Sequence, residues 1–307
     1  MVLLTPRIHF YEINDQSWFP QYVREKVQAG LTLLWTFRFP VIQQSSPAAL
    51  VVKTLQDVLG NRIRDFTYVD FCAGAGGPTP YIERDLNEQL GQSTKNQNGH
   101  TDGESGGIVE NRGVDFVLTD IAPHLEAWEE AAKKSDNIRF ISTPVDAANA
   151  PPDLLKSLSN SDGLSDKKVF RLFNLAFHHF HDPLAERILR NSIATSDGFG
   201  IFELQARTIS SFIIITLILP LMLLITPFYF WNNPGHLFFT YIVPIVPLVM
   251  VFDGYVSSLR TRNPEEIMKL MPKGEDVKGW KFKSGSACHT WPFGEMTWFI
   301  AFKEPES

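Results

Sequence analysis

The residues able to do chemistry gather first around one turn. Val69, Asp70 and Phe71 close an apolar run, and Cys72, Ala73, Gly74, Ala75, Gly76, Gly77 and Pro78 follow. A strand that ends in an acid and runs into a glycine turn lets backbone approach a ligand before a helix begins. A nicotinamide-binding turn asks for G-x-G-x-x-G, but position 79 is Thr, and the chain lacks the G-K-S/T of a phosphate loop. Polar groups end three later apolar runs: Asp120, then Asp146 with Ala147, then Asn174. A carboxylate suits two vicinal hydroxyls because it accepts both hydrogen bonds. Asp120 lies 44 residues after Gly76, and removing a 26-residue polar stretch, 88–113, leaves 18. That is near the roughly 20 expected of an acid that reads a ribose.

The histidines form a second group. His178, His179 and His181 spell H-H-x-H on a loop, without the i, i+4 helical spacing of a zinc peptidase, so no metal is expected. Two readings remain: packing of at least two of the three, or His178 or His179 as a general base with a pKa near working pH. Cys72 has no partner signature and reads as a packing residue rather than a nucleophile.

In this order the segments resemble the class I S-adenosylmethionine-dependent methyltransferases, whose first motif is D-x-x-x-G-x-G. The family commonly has Gly where this chain has Cys72. The resemblance covers about residues 60–207 and resumes at 253–303. It implies an α/β fold with a doubly wound, mostly parallel Rossmann-like sheet, and S-adenosyl-L-methionine as cofactor. Asp70, Gly74 and Gly76 would order the loop and meet the methionine end, and Asn174 is also expected among the cofactor-binding residues. Asp120 would take the ribose hydroxyls, Ile121 would pack the adenine face, and Asp146 with Ala147 would cap the adenine amine. The aromatic and His-rich segment 174–182 resembles the one after strand four in many small-molecule methyltransferases, with His178 or His179 next to the methyl. Methyl transfer itself asks mainly for alignment and exclusion of water.

The elements that must position these residues follow from apolar patterning. Strands are expected at 67–71, 114–119, 138–142, 169–173 and 198–203, with helices between them, which predicts a parallel doubly wound sheet. Residues 1–60 read as an N-terminal helical lid, with Ser46 and Pro47 starting its second helix and Gly60 closing it. Trp18 and Phe19 read either as core or as a lid or membrane wedge. The core is expected over 61–207, with 88–113 a disordered insertion, and 253–307 adds a helix and two closing strands.

Residues 208–252 contain no Asp, Glu, Lys or Arg. As helix, 210–231 is long enough to cross a bilayer core of about 30 Å. A turn at 231–235 splits the block, the second arm is shorter, and Pro220, Pro227, Pro244 and Pro247 should kink both arms. The expectation is a membrane helical hairpin that leaves and returns, with Arg207, Arg260 and Arg262 on the domain side and Tyr229, Trp231 and Tyr241 as an interfacial belt. The alternative is a pair of buried core helices. Fungal membrane-associated methyltransferase-like proteins of specialised metabolism resemble this arrangement.

The net charge of −6 argues against a nucleic-acid partner, and two cysteines imply a reduced compartment. The expected protein is a membrane-associated O-methyltransferase whose partners are a lipophilic small molecule and membrane lipid, its catalytic domain facing the cytosol at, for example, the endoplasmic reticulum. The alternative is a non-methylating relative, a cyclase or a ligand- or partner-binding protein.

Overall fold

The computed structural model describes residues 4–39, 41–98, 113–158 and 167–304. Five parallel strands, β1 (Phe66–Phe71), β2 (Phe116–Thr119), β3 (Ile138–Phe140), β4 (Lys168–Asn174) and β5 (Gly198–Glu203), are joined by β6 (Trp280–Thr290) and β7 (Gly294–Lys303). The sheet order is β3-β2-β1-β4-β5-β7-β6, with β7 antiparallel between β5 and β6. This is the expected doubly wound, methyltransferase-like Rossmann sheet. Strands β1, β2 and β5 are buried along their whole length, as strands covered on both faces must be. Strand order reverses between β1 and β4, and ligands of such sheets sit in the crevice at the carboxyl ends there.

On one face, α2 (Pro47–Leu59) and α3 (Thr79–Asn98) set Leu55, Ile82 and Leu86 on Phe66, Tyr68 and Phe170. On the other, α5 (Asp182–Thr195) sets Ile188 and Leu189 on Phe173 and Phe199. Helix α2 starts as expected, with the Ser46 side chain accepting from the Ala49 N–H, Pro47 in the first turn and left-handed Gly60 at its end. Helix α4 (Leu125–Lys134) buries Trp128 against the edge near β3.

Three expectations need correction. Helix α3 runs on to Asn98, so 88–98 is helical; of the expected insertion, 99–112 lie outside the described residues. The first sixty residues are not one lid. Helix α1 (Gln21–Thr36) packs Val23 and Val27 against Met222, Val246 and Met250 of the apolar segment, whereas α2 belongs to the sheet. Phe19 joins the first of these clusters and Trp18 stays exposed.

The third correction concerns the hairpin. Helix α6 (Ile209–Tyr229) is long and apolar enough to cross a membrane, and continues through Pro220 and Pro227. The return comprises α7 (Pro234–Leu237), a π turn (Phe238–Ile242) and α8 (Ile245–Arg260), bent by 71°. Helix α8 passes unbroken through Phe252 and Asp253, so the compositional boundary falls inside a helix. Arg207, Arg260 and Arg262 are buried, on Glu266, Glu12 and Asp182 respectively, and so cannot serve as a positive flank for lipid headgroups. Helix α9 (Pro264–Leu270) then leads to the closing strands.

Asp253 fixes the segment preceding α1. Its carboxylate accepts from the backbone N–H of Ile13 (2.7 Å) and Asn14 (2.9 Å). Asp253→Ala is expected to cost about 1–3 kcal/mol by denaturant unfolding, because two partly buried backbone donors lose their charged acceptor. Limited proteolysis within residues 4–20 should accelerate; unchanged cleavage would show that the segment is held otherwise.

Candidate functional site

The glycine turn is built by backbone conformation. Gly74, Gly76 and Gly77 have φ of 52°, 99° and 47°, the left-handed region that a side chain disfavours. Cys72 (φ 66°) and Leu175 (φ 53°) are the positive-φ residues other than glycine among the described residues, and they follow β1 and β4 on either side of the switch point. Strain of this kind gathers where structure serves a site.

Asp70 is buried at the end of β1. The Thr79 hydroxyl, at the start of α3, donates to its Oδ2 at 2.5 Å, and Asn174 Nδ2 donates to that hydroxyl at 3.3 Å. Asp70 Oδ1 and Asn174 Oδ1 are buried acceptors without a partner. Burial, helped by the Asp120 carboxylate, lifts Asp70 to about 7 against the Thr79 hydrogen bond and the nearby Asn174 amide. Burial also pushes the Cys72 thiol far up, with Asp120, Asp70 and Asp146 adding to it, which removes its nucleophilic form.

Asp120 shapes the turn. Its oxygens accept from the N–H of Gly74 and of Ala122, both at 2.9 Å, and the Trp128 indole donates to the Gly74 carbonyl at 2.8 Å. The Val145 N–H donates to the Asp120 carbonyl, tying the loops after β2 and β3. Asp146 is exposed and accepts from the Ala148 N–H, Ala147 is buried, and Ile121 is 66 % exposed. The eight expected cofactor residues thus ring the carboxyl ends of β1 to β4. Gly74 and Asn174 line the main cavity, whereas Asp70, Gly76, Asp120, Ile121, Asp146 and Ala147 are not part of its wall.

That cavity has a volume of about 500 Å³. It runs from the glycine turn to an apolar wall of Val27, Leu31, Trp35, Ile215, Ile218 and Leu221, contributed by α1 and α6. Its floor is ionic. His178 follows β4 in a short turn and is fully enclosed: its Nδ1 meets Glu203 Oε2 at 2.8 Å, its backbone N–H donates to Glu203 Oε1 at 3.0 Å, and its Nε2 faces Glu12 Oε1 at 3.4 Å. Arg260 (2.7 Å) and Ser257 (2.9 Å) also donate to Glu12 Oε1, and Gln205 donates to Glu203 at 3.1 Å. His179, partly exposed, sets Nδ1 on Asp15 at 2.9 Å and Nε2 at 3.9 Å from Glu12 Oε2. His181 instead stacks on His9, ring centres 3.6 Å apart.

Burial opposes charge on His178, but Glu203 and Glu12 outweigh it and raise the imidazole to about 10. For His178 the expected pKa near working pH is therefore not met, and both of its ring nitrogens face carboxylates. Burial opposes charge on Glu12 too, yet His178, His179 and Arg260 hold it well below the ordinary carboxylate range. His289, at the end of β6, lines the same cavity; burial lowers it to about 4 and keeps it neutral.

Sequence reasoning missed Glu12, Asp15, Glu203, Arg260 and His289. Glu203 had a usable signal, because it ends β5 as Asp70 ends a strand two places along the same sheet edge. Glu12 and Asp15 sit in irregular backbone more than 160 residues from the histidines they meet, with no local pattern.

No family model matches the chain, and no curated protein matches it. Among solved structures, a SAM-dependent methyltransferase from Anabaena variabilis is similar at 14 % identity over 99 % of each chain, TM-score 0.44. The methyltransferase domain of bacterial CtHen1 is similar at 8 % identity over 84 % of this chain and 97 % of that one, TM-score 0.41. The DszA carbon methyltransferase is similar at 12 % identity over 85 % of this chain and 54 % of that one, TM-score 0.42. At these scores the strand order and the turn carry the methyltransferase-like fold, not the individual likenesses.

Two predictions follow from the turn. Replacing Cys72 by Gly removes a left-handed side chain and is expected to raise unfolding stability by about 1 kcal/mol, read from urea midpoints. Asp70 is raised from 3.8 to about 7 on folding, so the native state binds its proton more tightly. That stability is full below pH 4 and is lost as pH rises through 7. The Asp70→Asn protein should lack this loss, so its advantage over wild type should grow between pH 5 and pH 8; a constant difference would show that Asp70 is ionised throughout.

Proposed function

We propose that this chain is a membrane-associated S-adenosyl-L-methionine-dependent methyltransferase that methylates an oxygen of a small lipophilic acceptor. The observation that carries this reading is the pair of buried, unpartnered acceptors, Asp70 Oδ1 and Asn174 Oδ1, beside a left-handed glycine turn that opens into an apolar cavity. Orphaned acceptors of this kind fit an ammonium group, which donates three hydrogen bonds. S-adenosylmethionine, when bound, supplies a methyl group on a sulfonium that is already a good leaving group.

The chain's own residues would act as follows. Asp70 and Asn174 hold the amino end, and Gly74 and Gly76 admit the close approach of backbone. Asp120 keeps its remaining lone pairs for ribose hydroxyls, while Ile121, Asp146 and Ala147 border the adenine. The walls from α1 and α6 align the acceptor and exclude water. Of the floor residues, the partly exposed His179 would take the proton of an acceptor hydroxyl.

Membrane association is supported by the outer half of the hairpin. Leu224, Phe228, Trp231 and Ile242 are 64–74 % exposed, far more apolar surface than a buried core helix presents. The inner ends of α6 and α8 are tied into the fold, and the return arm is bent by 71°, so the hairpin reads as dipping into one leaflet. Leu217 both lines the cavity and is 48 % exposed, giving a lipophilic acceptor an apolar way in. Two free cysteines agree with a domain on the cytosolic face.

Calorimetry with S-adenosylhomocysteine on the detergent-purified protein is expected to show binding that Asn174→Ala weakens about tenfold or more; a folded wild type that binds nothing would end this reading. With methyl-labelled cofactor and a lipid extract, labelled product is expected. Cofactor binding without product would favour the non-methylating alternative, a cyclase or ligand-binding protein. The protein should float with phosphatidylcholine vesicles, and Phe228→Glu with Trp231→Glu should abolish flotation without altering cofactor binding.

A further inference from the structure

We propose that Glu12, His178 and His179 form a centre for a divalent transition metal, zinc by the chemistry of its donors, at the cavity floor. Each residue offers one ligand atom, and these atoms lie within 4.8 Å of one another. His178 Nε2 is 3.4 Å from Glu12 Oε1, and His179 Nε2 is 3.9 Å from Glu12 Oε2. Zinc bound tetrahedrally at about 2.0–2.1 Å separates its ligand atoms by about 3.3–3.4 Å. Glu12 Oε2, the oxygen not bonded by Arg260 or Ser257, stands 3.9 Å from His179 Nε2, and the three ligand atoms span no more than 4.8 Å, so an ion would draw them inward to reach that spacing.

The far side of each imidazole is arranged as ligation requires. His178 Nδ1 bonds Glu203 at 2.8 Å, and His179 Nδ1 bonds Asp15 at 2.9 Å. A carboxylate on one ring nitrogen fixes the tautomer and aims the other nitrogen's lone pair at a metal; ligating histidines almost always have such a partner. Here both histidines have one, and both Nε2 atoms converge on a third carboxylate. Chance packing accounts poorly for two such pairs on neighbouring residues. Glu203 is itself anchored by the His178 backbone N–H and by Gln205, so the orientation is held from behind.

Charge permits an ion here. Glu12, Asp15 and Glu203 bring three carboxylates into direct contact with the histidines, and Arg260 is the cation that touches two of them. A divalent ion that displaces the imidazole protons leaves this group at zero, the balance that two imidazolium ions would also give. Arg260 and Ser257 bond Oε1 of Glu12, so Oε2 keeps its lone pairs. Three protein ligands leave a fourth position, and all three residues line the cavity, so that position is open to an acceptor. A metal there would polarise an acceptor hydroxyl and lower its pKa, which removes the need for a free histidine base. That use of the centre rests on the methyltransferase reading; the centre itself does not. The H-H-x-H spacing concealed it because the third ligand comes from residue 12.

The test uses the full chain, purified in detergent without a His tag. Elemental analysis by mass spectrometry is expected to find about one zinc, or a competing first-row metal, per chain. After stripping with a chelator, Co²⁺ should restore about one equivalent with visible bands of tetrahedral cobalt. His179→Ala, at the least buried ligand, should abolish that signal. Asp15→Ala should weaken Co²⁺ binding about 10–100-fold while retaining the bands. Thermal melting and S-adenosylhomocysteine calorimetry on the same samples report folding and the cofactor site independently. Folded wild type taking up neither Zn²⁺ nor Co²⁺, or His179→Ala binding as tightly as wild type, would overturn the proposal. Lost metal with cofactor binding retained removes the centre alone; lost cofactor binding with metal retained removes the methyltransferase reading alone.

Discussion

The buried carboxylate of Glu12 is the point on which the molecule closes. Around it meet the segment before α1, the turn after β4 through His178, and the inner end of α8 through Ser257 and Arg260. An uncompensated buried charge costs several kcal/mol, so these partners must arrive together or not at all. Through this cluster the apolar hairpin is joined to the sheet. The cavity exists because α1, α6 and α8 are held above the carboxyl ends of the strands.

The cavity has two unlike sides. Toward β1 and β4 it offers backbone in left-handed conformations and the Asn174 amide, whose oxygen has no donor, the side assigned to the proposed cofactor. Toward α1 and α6 it offers aliphatic side chains continuous with the exposed hairpin. The ionic floor lies between them. The proposed reaction between a charged cofactor and a lipophilic acceptor would use this juxtaposition, which arises because one apolar insertion both lines the pocket and carries exposed side chains beyond it.

The sheet was legible because each buried parallel strand reads as a short apolar run between polar breaks, and all five fell at the expected places. The glycine turn was legible for the same local reason, since acid, turn and helix start lie within ten residues. Asp120 was found at the right strand end, although its spacing argument discarded residues that prove helical in α3. What stayed hidden was non-local or conformational. Glu12 and Asp15 carry no pattern. Composition changed at residue 252 where structure did not, because the polar end of α8 faces the protein interior rather than water. For the same reason three arginines that looked like a membrane flank are internal ion-pair partners. Cys72 looked like a departure from a glycine motif, and its φ of 66° explains why glycine is common there.

Hydrogen–deuterium exchange with and without S-adenosylhomocysteine bears most directly on the central claim, that the crevice at the ends of β1 to β4 holds this cofactor. The account predicts slower exchange in three separated segments, 72–80, 120–123 and 145–149, with the hairpin tip at 229–238 unchanged. No protection in these segments at saturating ligand, or protection confined to the hairpin, would contradict it.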